Sequence, residues 1–192
     1  MKKEELLQKL RNNTHVQYDM PDLNINAITY PDKVQQFIDM SKAVGSKVEV
    51  ISETDDVNDV ILRLYPDAKI IASNLPEVTI ANINPDTVDE ASDLNGTDVA
   101  VLKGEYGVAE NGCIWIPQTM KEKAVCFISE ELVIILRADK IVNNMHEGYK
   151  LISVPEIGYG VWISGPSKTA DIEQALVMGA QAARGVTVLL QR

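Results

Sequence analysis

The stretch "KVEVISETDDVNDVILRLYPDAKIIAS", Lys47 to Ser73, decides the fold class of this chain. Apolar runs of strand length at 47–51 and 69–73 flank a helical segment at 55–65. Asp55 and Asp56 stand at the start of that segment, where the positive end of a helix dipole favours carboxylates. The stretch therefore predicts a strand, a helix and a second strand in succession.

The same alternation continues on both sides of this stretch. Ahead of it we predict a short strand at 27–30 and a helix at 31–45, with Pro31 in its first turn and Gly45 as its stop. Behind it, strands are predicted at 98–104, 113–117, 131–138, 159–164 and 186–191, and helices at 143–152 and 169–179. Because short, continuously apolar strands alternating with helices are typical of parallel sheets, we expect an α/β fold: a mainly parallel sheet with helices on both faces.

The length of 192 residues fits one domain, preceded by a small N-terminal element. Residues 3–11 have the pattern of a short helix, with Leu6, Leu7 and Leu10 on one face, and residues 12–24 are rich in turn formers. We therefore predict a helical arm and linker at 1–24 and a single α/β domain at 25–192. The arm would pack on the body or on a second subunit, which leaves a homo-oligomer open.

Charge and hydropathy exclude several classes of protein. The formal net charge is −10, from 18 basic and 28 acidic residues, and such a chain repels the phosphate backbone of nucleic acids. No apolar run approaches the roughly 18 residues of a membrane span. The N-terminus lacks the apolar segment and cleavage site of a signal peptide, so we expect a cytoplasmic protein.

The cysteines and histidines are too few for a metal centre. Cys113, Cys126, His15 and His146 cannot supply the thiolates of an iron–sulfur cluster or the closely spaced ligands of structural zinc. We therefore expect no metal and no cofactor on this chain. A cluster that takes part in its work would be carried by a partner.

The segment "GVWISGPSKT", residues 160–169, superficially echoes a phosphate-binding Walker loop. The match fails because "VWIS" is strand material where a loop is needed, and because Pro166 stands where the lysine must directly follow the second glycine. NTP hydrolysis is thereby excluded.

Two interpretations of the turn "SGPSKTAD" are open. Ser167 or Thr169 would cap the following helix, and Asp171 suits its first turn, which explains the residues as a capped helix start. The unpaired N–H groups of such a start, with Lys168 beside them, also favour an anion. In a parallel sheet these turns lie at the carboxyl ends of strands, where ligands usually bind.

A second loop, "KGEYGVAENGCI" at 103–114, is rich in glycine and contains Glu105 and Glu110. Such a loop lets the backbone approach a ligand closely, and a partly desolvated glutamate can act as acid, base or nucleophile. A tight loop with solvated carboxylates explains the same residues.

Together the two loops resemble the LUD-domain family, in particular the lactate-utilisation protein C group. The C-terminal signature of that group runs roughly G-P-S-[KR]-T-A-D-I-E and then an apolar helix ending L-V-x-G, and this chain has "GPSKTADIEQALVMG" from Gly165. The earlier signature is similar to G-x-A-E-[ST]-G-[ST], where this chain has "GVAENGC". The resemblance covers roughly residues 30–192.

The resemblance implies a fold similar to the CoA-transferase and ribose-phosphate-isomerase-like (NagB/RpiA-like) architecture. It also implies a role beside iron–sulfur and cysteine-rich partner subunits that oxidise L-lactate to pyruvate. This division of labour fits the cysteine count, because the present chain cannot hold the clusters.

Three positions depart from the family pattern. Asn111 and Cys113 stand where the family commonly has hydroxyl residues, and Gln181 stands where it usually has histidine. Glutamine can hydrogen-bond but does not shuttle protons near neutral pH, so a mechanism needing an acid–base histidine there is in doubt.

Three hypotheses follow. The first is an accessory or ligand-binding subunit of a lactate-oxidising system that binds a small anionic ligand between the Glu110 loop and the Ser167 turn. The second is a free-standing enzyme, transferring CoA or isomerising a sugar phosphate through Glu110. The third is a protein–protein adaptor with a degenerate pocket. The candidate catalytic residue is Glu110, and the candidate ligand-binding residues are Gly107, Asn111, Gly112, Gly165, Pro166, Ser167, Lys168, Thr169, Asp171 and Gln181.

Overall fold

The computed structural model describes residues 2–13, 18–19, 21, 25–153, 158–169, 177–179 and 181–192. The helices are α1 Lys3–Asn12, α2 Lys33–Ala43, α3 Val57–Leu64, α4 Val125–Ile128 and α5 Met145–Leu151, with 3₁₀ turns at Ala91–Leu94 and Ala138–Lys140. The strands are β1 Lys47–Ile51, β2 Ile71–Ala72, β3 Val99–Lys103, β4 Tyr106–Val108, β5 Ile114–Pro117, β6 Glu131–Arg137, β7 Ile141–Val142, β8 Gly160–Ile163, β9 Lys168–Thr169, β10 Val177–Met178 and β11 Gly185–Gln191.

The central sheet has five strands in the order β1-β11-β6-β3-β2, and every neighbouring pair is parallel. Its longest pairing joins β11 to β6, from Gly185 opposite Glu131 to Gln191 opposite Arg137. The interior residues of both strands are buried. This pattern confirms the prediction of an α/β fold with a mainly parallel sheet.

Alternate residues of the central strands enter two separate apolar cores. On one face, Val133 and Ile135 of β6 pack in the core that contains Val60 and Ile61 of α3. On the other face, the neighbouring residues of β6, with Ile134 at their centre, share a core with residues of α2 and α4. Helices thus cover both faces, as expected.

A second, four-stranded sheet lies against the α2 face in the order β7-β4-β5-β8. Ile114 and Ile116 of β5 belong to the same core as α2, whereas Trp115 packs against Trp162 across β5 and β8, with ring centroids 5.2 Å apart and the rings tilted by 50°. The antiparallel β5–β8 pairing leaves no room at Gly160, where a Cβ would overlap the indole of Trp115.

This second sheet corrects part of the prediction. Segments 113–117 and 159–164 are strands, but they pair antiparallel with one another and do not join the parallel sheet. Strands β4 and β7 are only three and two residues long, too short for an alternating pattern to reveal them.

The start of the domain also differs from expectation. Segment 27–30 is not a strand, because its backbone bonds side chains: Tyr30 N donates to Asn143 Oδ1 at 2.9 Å, and Ile28 O accepts from Asn144 Nδ2 at 2.8 Å. Helix α2 begins after Asp32, whose carboxylate accepts from Val34 N and Gln35 N, so Pro31 precedes the helix.

The predicted position of Asp56 at the start of α3 is confirmed, and this residue also caps the helix. Its carboxylate accepts the backbone N–H of Asn58 at 2.8 Å, and this bond holds the pKa of Asp56 below its ordinary value. Asp55 lies one residue outside the helix cap, where it accepts from Ser52 N at 2.8 Å.

The helix predicted at 169–179 is wrong at both ends. Strand β9 pairs antiparallel with β10, and Gly179 follows with a φ of +76°. Ser167 N donates to Ala183 O, and Gly179 N donates to Ser167 O. These hydrogen bonds hold both ends of the predicted helix in a strand pairing instead. Residues 170–176 between them, which include Asp171, lie outside the described residues.

The predicted helical arm is present as α1, and none of its residues is buried. Its side chains Leu6 and Leu7 are 43% and 40% exposed. Most of the predicted linker, residues 14–17, 20 and 22–24 with His15, lies outside the described residues. Within the part of the chain that the structure describes, no helix is long and apolar enough to cross a membrane.

Truncation of a core side chain tests this architecture. Leu102 of β3 is 0% exposed, so Leu102→Ala removes buried methyl groups and leaves a cavity; we expect a loss of about 2–5 kcal/mol in the free energy of unfolding. Leu62 of α3 is 45% exposed, and Leu62→Ala should change stability by only about 0.5 kcal/mol. Urea unfolding measures both, and equal losses would contradict the assigned core.

Candidate functional site

The two signature loops meet at the C-terminal turn of α2. A Cβ on Gly112, which has a φ of +67°, would lie 3.0 Å from Ser41 N. A Cβ on Gly165, with a φ of +73°, would lie 2.6 Å from Val44 O. Both positions need glycine, because a side chain is disfavoured at that φ and the helix backbone already fills the space.

The loops are also joined directly. Ser164 Oγ donates to Asn111 O at 2.8 Å, and the side-chain oxygen of Asn111 accepts from Cys113 N at 3.1 Å. Asn111, one of the departures from the family pattern, is therefore used to shape its own turn. Ser164 was missed by the sequence reasoning, although it directly precedes the quoted signature.

Lys168 and Pro166 close the contact with α2. Lys168 Nζ donates to Val44 O at 2.5 Å, which places its charge on a carbonyl at the negative end of the helix dipole. Pro166 packs against Gly45. Because Lys168 and Thr169 lie in a strand, no helix begins at Ser167 within the described residues, where one was expected to hold an anion.

Glu110 faces another element. It is exposed, and its Oε2 accepts from Met145 N, the first residue of α5, at 3.1 Å, while its own N–H donates to Asn143 O at 3.0 Å. The carboxylate thus satisfies a helix terminus. Gly107 is a packing position, since a Cβ there would lie 2.8 Å from Leu136 Cδ2.

Three of the candidate residues do line one cavity. This cavity, which we call the lateral groove, has a volume of about 320 Å³ and combines polar groups with an apolar floor. Its lining residues are Cys126, Phe127, Leu132, Val161, Trp162, Ile163, Ser164, Gly165, Ser167, Gln181, Ala182, Ala183 and Val186.

The lateral groove continues into a more polar cavity of about 400 Å³. Gln181 borders both, and the second is also lined by Glu130 and Arg184, which form an ion pair at 2.9 Å. Gln181 is exposed between the two cavities, where its amide offers both a donor and an acceptor.

The two cysteines are protonated at neutral pH. Burial raises the pKa of the Cys126 thiol to about 11. Burial also raises the pKa of Cys113, and the charge of Glu110 adds to that effect while a hydrogen bond with Ser164 opposes it. Neither thiol is therefore an activated nucleophile. Among the described residues, no group of three His, Cys, Asp or Glu side chains is placed to hold a metal ion.

A further cavity lies where the parallel strands β2 and β3 end, and we call it the edge cavity. Its volume is about 400 Å³, and it is lined by Asn74, Leu75, Lys103, Gly104, Glu105, Pro117 and Thr119. From the sequence, Glu105 is notable only as a carboxylate of a glycine-rich loop, and Lys103 is not a candidate. The signal that was available is their position directly after a predicted parallel strand.

Comparison with known proteins gives a family match for the sequence and a structure with a similar fold. The LUD domain family model matches residues 89–190, which are 102 of the 192 residues. The fold is similar to the crystal structure of a DUF162 family protein from Deinococcus radiodurans, with a TM-score of 0.66 and 14% identity over 86% of this chain and 100% of that one. No curated protein matches the sequence.

Replacing Gly165 tests its contact with α2. Gly165→Ala adds a Cβ 2.6 Å from Val44 O in addition to the strain of a positive φ. Gly96→Ala is the matched control, because Gly96 has a φ of +80° and nothing within 4 Å of a Cβ. We expect a loss of about 1–2 kcal/mol in unfolding free energy for the control and a further 1–3 kcal/mol or so for Gly165→Ala. Equal losses would contradict the close packing.

The raised pKa of Cys126 predicts a pH dependence of stability. Above pH 9 the unfolded chain releases the thiol proton while the native protein keeps it up to about pH 11, so deprotonation favours unfolding in that range. Wild type should therefore lose stability more steeply between pH 9 and 11 than Cys126→Ala, and the two should run parallel below pH 8. Denaturant melts across this range measure the slopes. Parallel curves throughout would refute the assignment.

Proposed function

The chain belongs to the LUD domain family, and from this premise we propose that it is an accessory, ligand-binding subunit of an iron–sulfur L-lactate oxidation system. The observation that carries the proposal is the family match over residues 89–190, which contain the segment "GPSKTADIE" at 165–173. LUD domains are associated with lactate utilisation. Within the family we assign the chain to the lactate-utilisation protein C group, acting in the cytoplasm.

The proposal includes a finer fold assignment. A five-stranded parallel sheet with helices on both faces supports an architecture similar to that of CoA transferases and ribose-phosphate isomerases. In that arrangement the second sheet and the β9–β10 hairpin are additions beside the parallel core.

The iron–sulfur clusters would be held by partner subunits. Supporting this division, the thiols of Cys113 and Cys126 are separated in the fold: Cys113 lies in the turn before β5, and Cys126 is buried in α4. Both have raised pKa values, which disfavours the thiolate that a cluster needs as ligand.

The small anionic ligand would occupy the lateral groove. Ser167 and Gln181 bring a hydroxyl and an amide group to a cavity whose remaining walls are largely apolar, and such a composition suits a small carboxylate or a phosphate-bearing molecule. Arg184 lies on the adjoining cavity, where its charge is paired with that of Glu130, so the ligand would be held by the polar groups of the groove itself.

The geometry favours this role over a free-standing enzyme based on Glu110. The Glu110 carboxylate accepts from the start of α5, and Glu110 is not among the residues that line the lateral groove or the edge cavity. An adaptor role would use the same surface without a ligand, so binding measurements separate the two.

Reconstitution with partner subunits tests the proposal. The chain is combined with an iron–sulfur subunit and a cysteine-rich subunit of a lactate-oxidising system, and L-lactate-dependent reduction of a dye is followed with and without the chain. We expect at least a tenfold fall in rate when it is omitted. Unchanged lactate oxidation without this chain would refute the subunit assignment.

Variants of Gln181 test the ligand site separately. Gln181→Leu removes the groove amide, whereas Gln35→Leu makes the same change on the exposed face of α2. Calorimetric titration with L-lactate, pyruvate and acyl-CoA should show binding of one of these anions that weakens about fivefold in Gln181→Leu and not in the control. Absence of heat with every anion would leave the adaptor hypothesis in its place.

A further inference from the structure

The edge cavity lies at the carboxyl ends of β2 and β3, where open parallel sheets usually bind ligands. Its volume of about 400 Å³ falls within the range of small-molecule sites. None of the residues that line the lateral groove lines the edge cavity, so the two are separate places on the molecule.

Two opposite charges line this cavity without being used by the protein. Lys103 is the last residue of β3, and Glu105 follows two residues later at the bend between β3 and β4; both residues line the cavity. Within the described ranges, neither side chain forms an ion pair or a side-chain hydrogen bond. An ammonium and a carboxylate are therefore both available to a ligand.

The backbone that carries these charges is fixed on both sides. Gly104 N donates to Ile135 O of the central sheet at 2.9 Å, and Glu105 N donates to Trp115 O of the second sheet at 2.9 Å. The site therefore does not depend on a mobile loop, and its two charged groups project from a segment clamped between the sheets.

Asn74 forms a polar wall of the cavity in a defined orientation. Its Nδ2 donates to Asp86 Oδ2 at 3.2 Å and to Thr119 O at 3.3 Å, two acceptors that determine which end of the amide is the nitrogen. Its Oδ1 is shielded from solvent and has no donor among the described residues. Because solvent does not reach this oxygen, a ligand in the cavity does not reach it either, and Asn74 contributes to the wall through its two donor bonds.

We propose that the edge cavity binds a small carboxylate that carries a hydroxyl or ammonium group on a short apolar chain. Lys103 Nζ pairs with the carboxylate, and Glu105 accepts from the hydroxyl or ammonium group. Leu75 and Pro117 contact the apolar chain. This inference does not depend on the proposed role in lactate oxidation.

Titration followed by NMR locates the ligand as well as its affinity. The ¹⁵N-labelled full chain is titrated with 2-hydroxyhexanoate, with norleucine and with hexanoate, which have the same chain length and differ in the donor group. We expect saturable shifts of the Leu75, Gly104 and Glu105 amides, with hexanoate the weakest of the three ligands. No saturable shift at these amides, or shifts confined to Ser164 and Ser167, would overturn the proposal.

Charge-removing variants complete the test. Lys103→Met should weaken binding of 2-hydroxyhexanoate about tenfold. Lys47→Met, the same change at the exposed start of β1 and hence at the opposite end of the sheet, should leave the affinity unchanged. Glu105→Gln should abolish the preference for norleucine over hexanoate. The amide spectrum of each variant verifies its fold, and a folded Lys103→Met protein with wild-type affinity would overturn the proposal.

Discussion

The carbonyl end of α2 is the contact on which both signature loops depend. Gly112 and Gly165 approach its last turn so closely that neither has space for a side chain, and Lys168 donates to Val44 O. The segment at 165–168 therefore has a structural role, because it connects the end of α2 to the second sheet and to the β9–β10 pair. The position of the polar groups in the lateral groove depends on this contact, because the same part of the chain carries Ser164 and Ser167, which line the cavity.

Sequence alone predicts the parallel sheet, because the apolar runs of its central strands identify them as buried strands without any knowledge of their neighbours in the fold. The runs at 131–138 and 186–191 become β6 and β11, and their interiors are buried on both faces. The same cue cannot tell which sheet a strand joins. Segments 113–117 and 159–164 look equally apolar, yet they pair with each other because the tight turn at Gly112 folds β5 back on β4.

The helix predicted at 169–179 shows where local chemistry misleads. Serine, threonine and glycine favour helix caps and also tight turns, so the residues at 165–169 are compatible with either. Bonds to distant residues decide between them, since Ser167 N donates to the carbonyl of Ala183 beyond β10, and Lys168 Nζ donates to Val44 O at the end of α2. For the same reason the candidate site was only partly foreseen: Gly165, Ser167 and Gln181 do share a cavity, whereas Glu110 faces α5.

Lys103 and Lys168 show how identical side chains at two loop ends acquire different roles. Each is exposed and each lies at one end of a strand, but Lys168 Nζ donates to the carbonyl of Val44 at the end of α2, which uses its charge. Lys103 ends a strand whose neighbouring backbone groups are already paired between two sheets, so nothing in the described structure competes for its ammonium group. A motif identifies which residues recur together, whereas only the surrounding hydrogen bonds show which charge is still available to a ligand. By that criterion the carboxyl edge of the sheet has the stronger claim to bind an anion than the signature lysine itself.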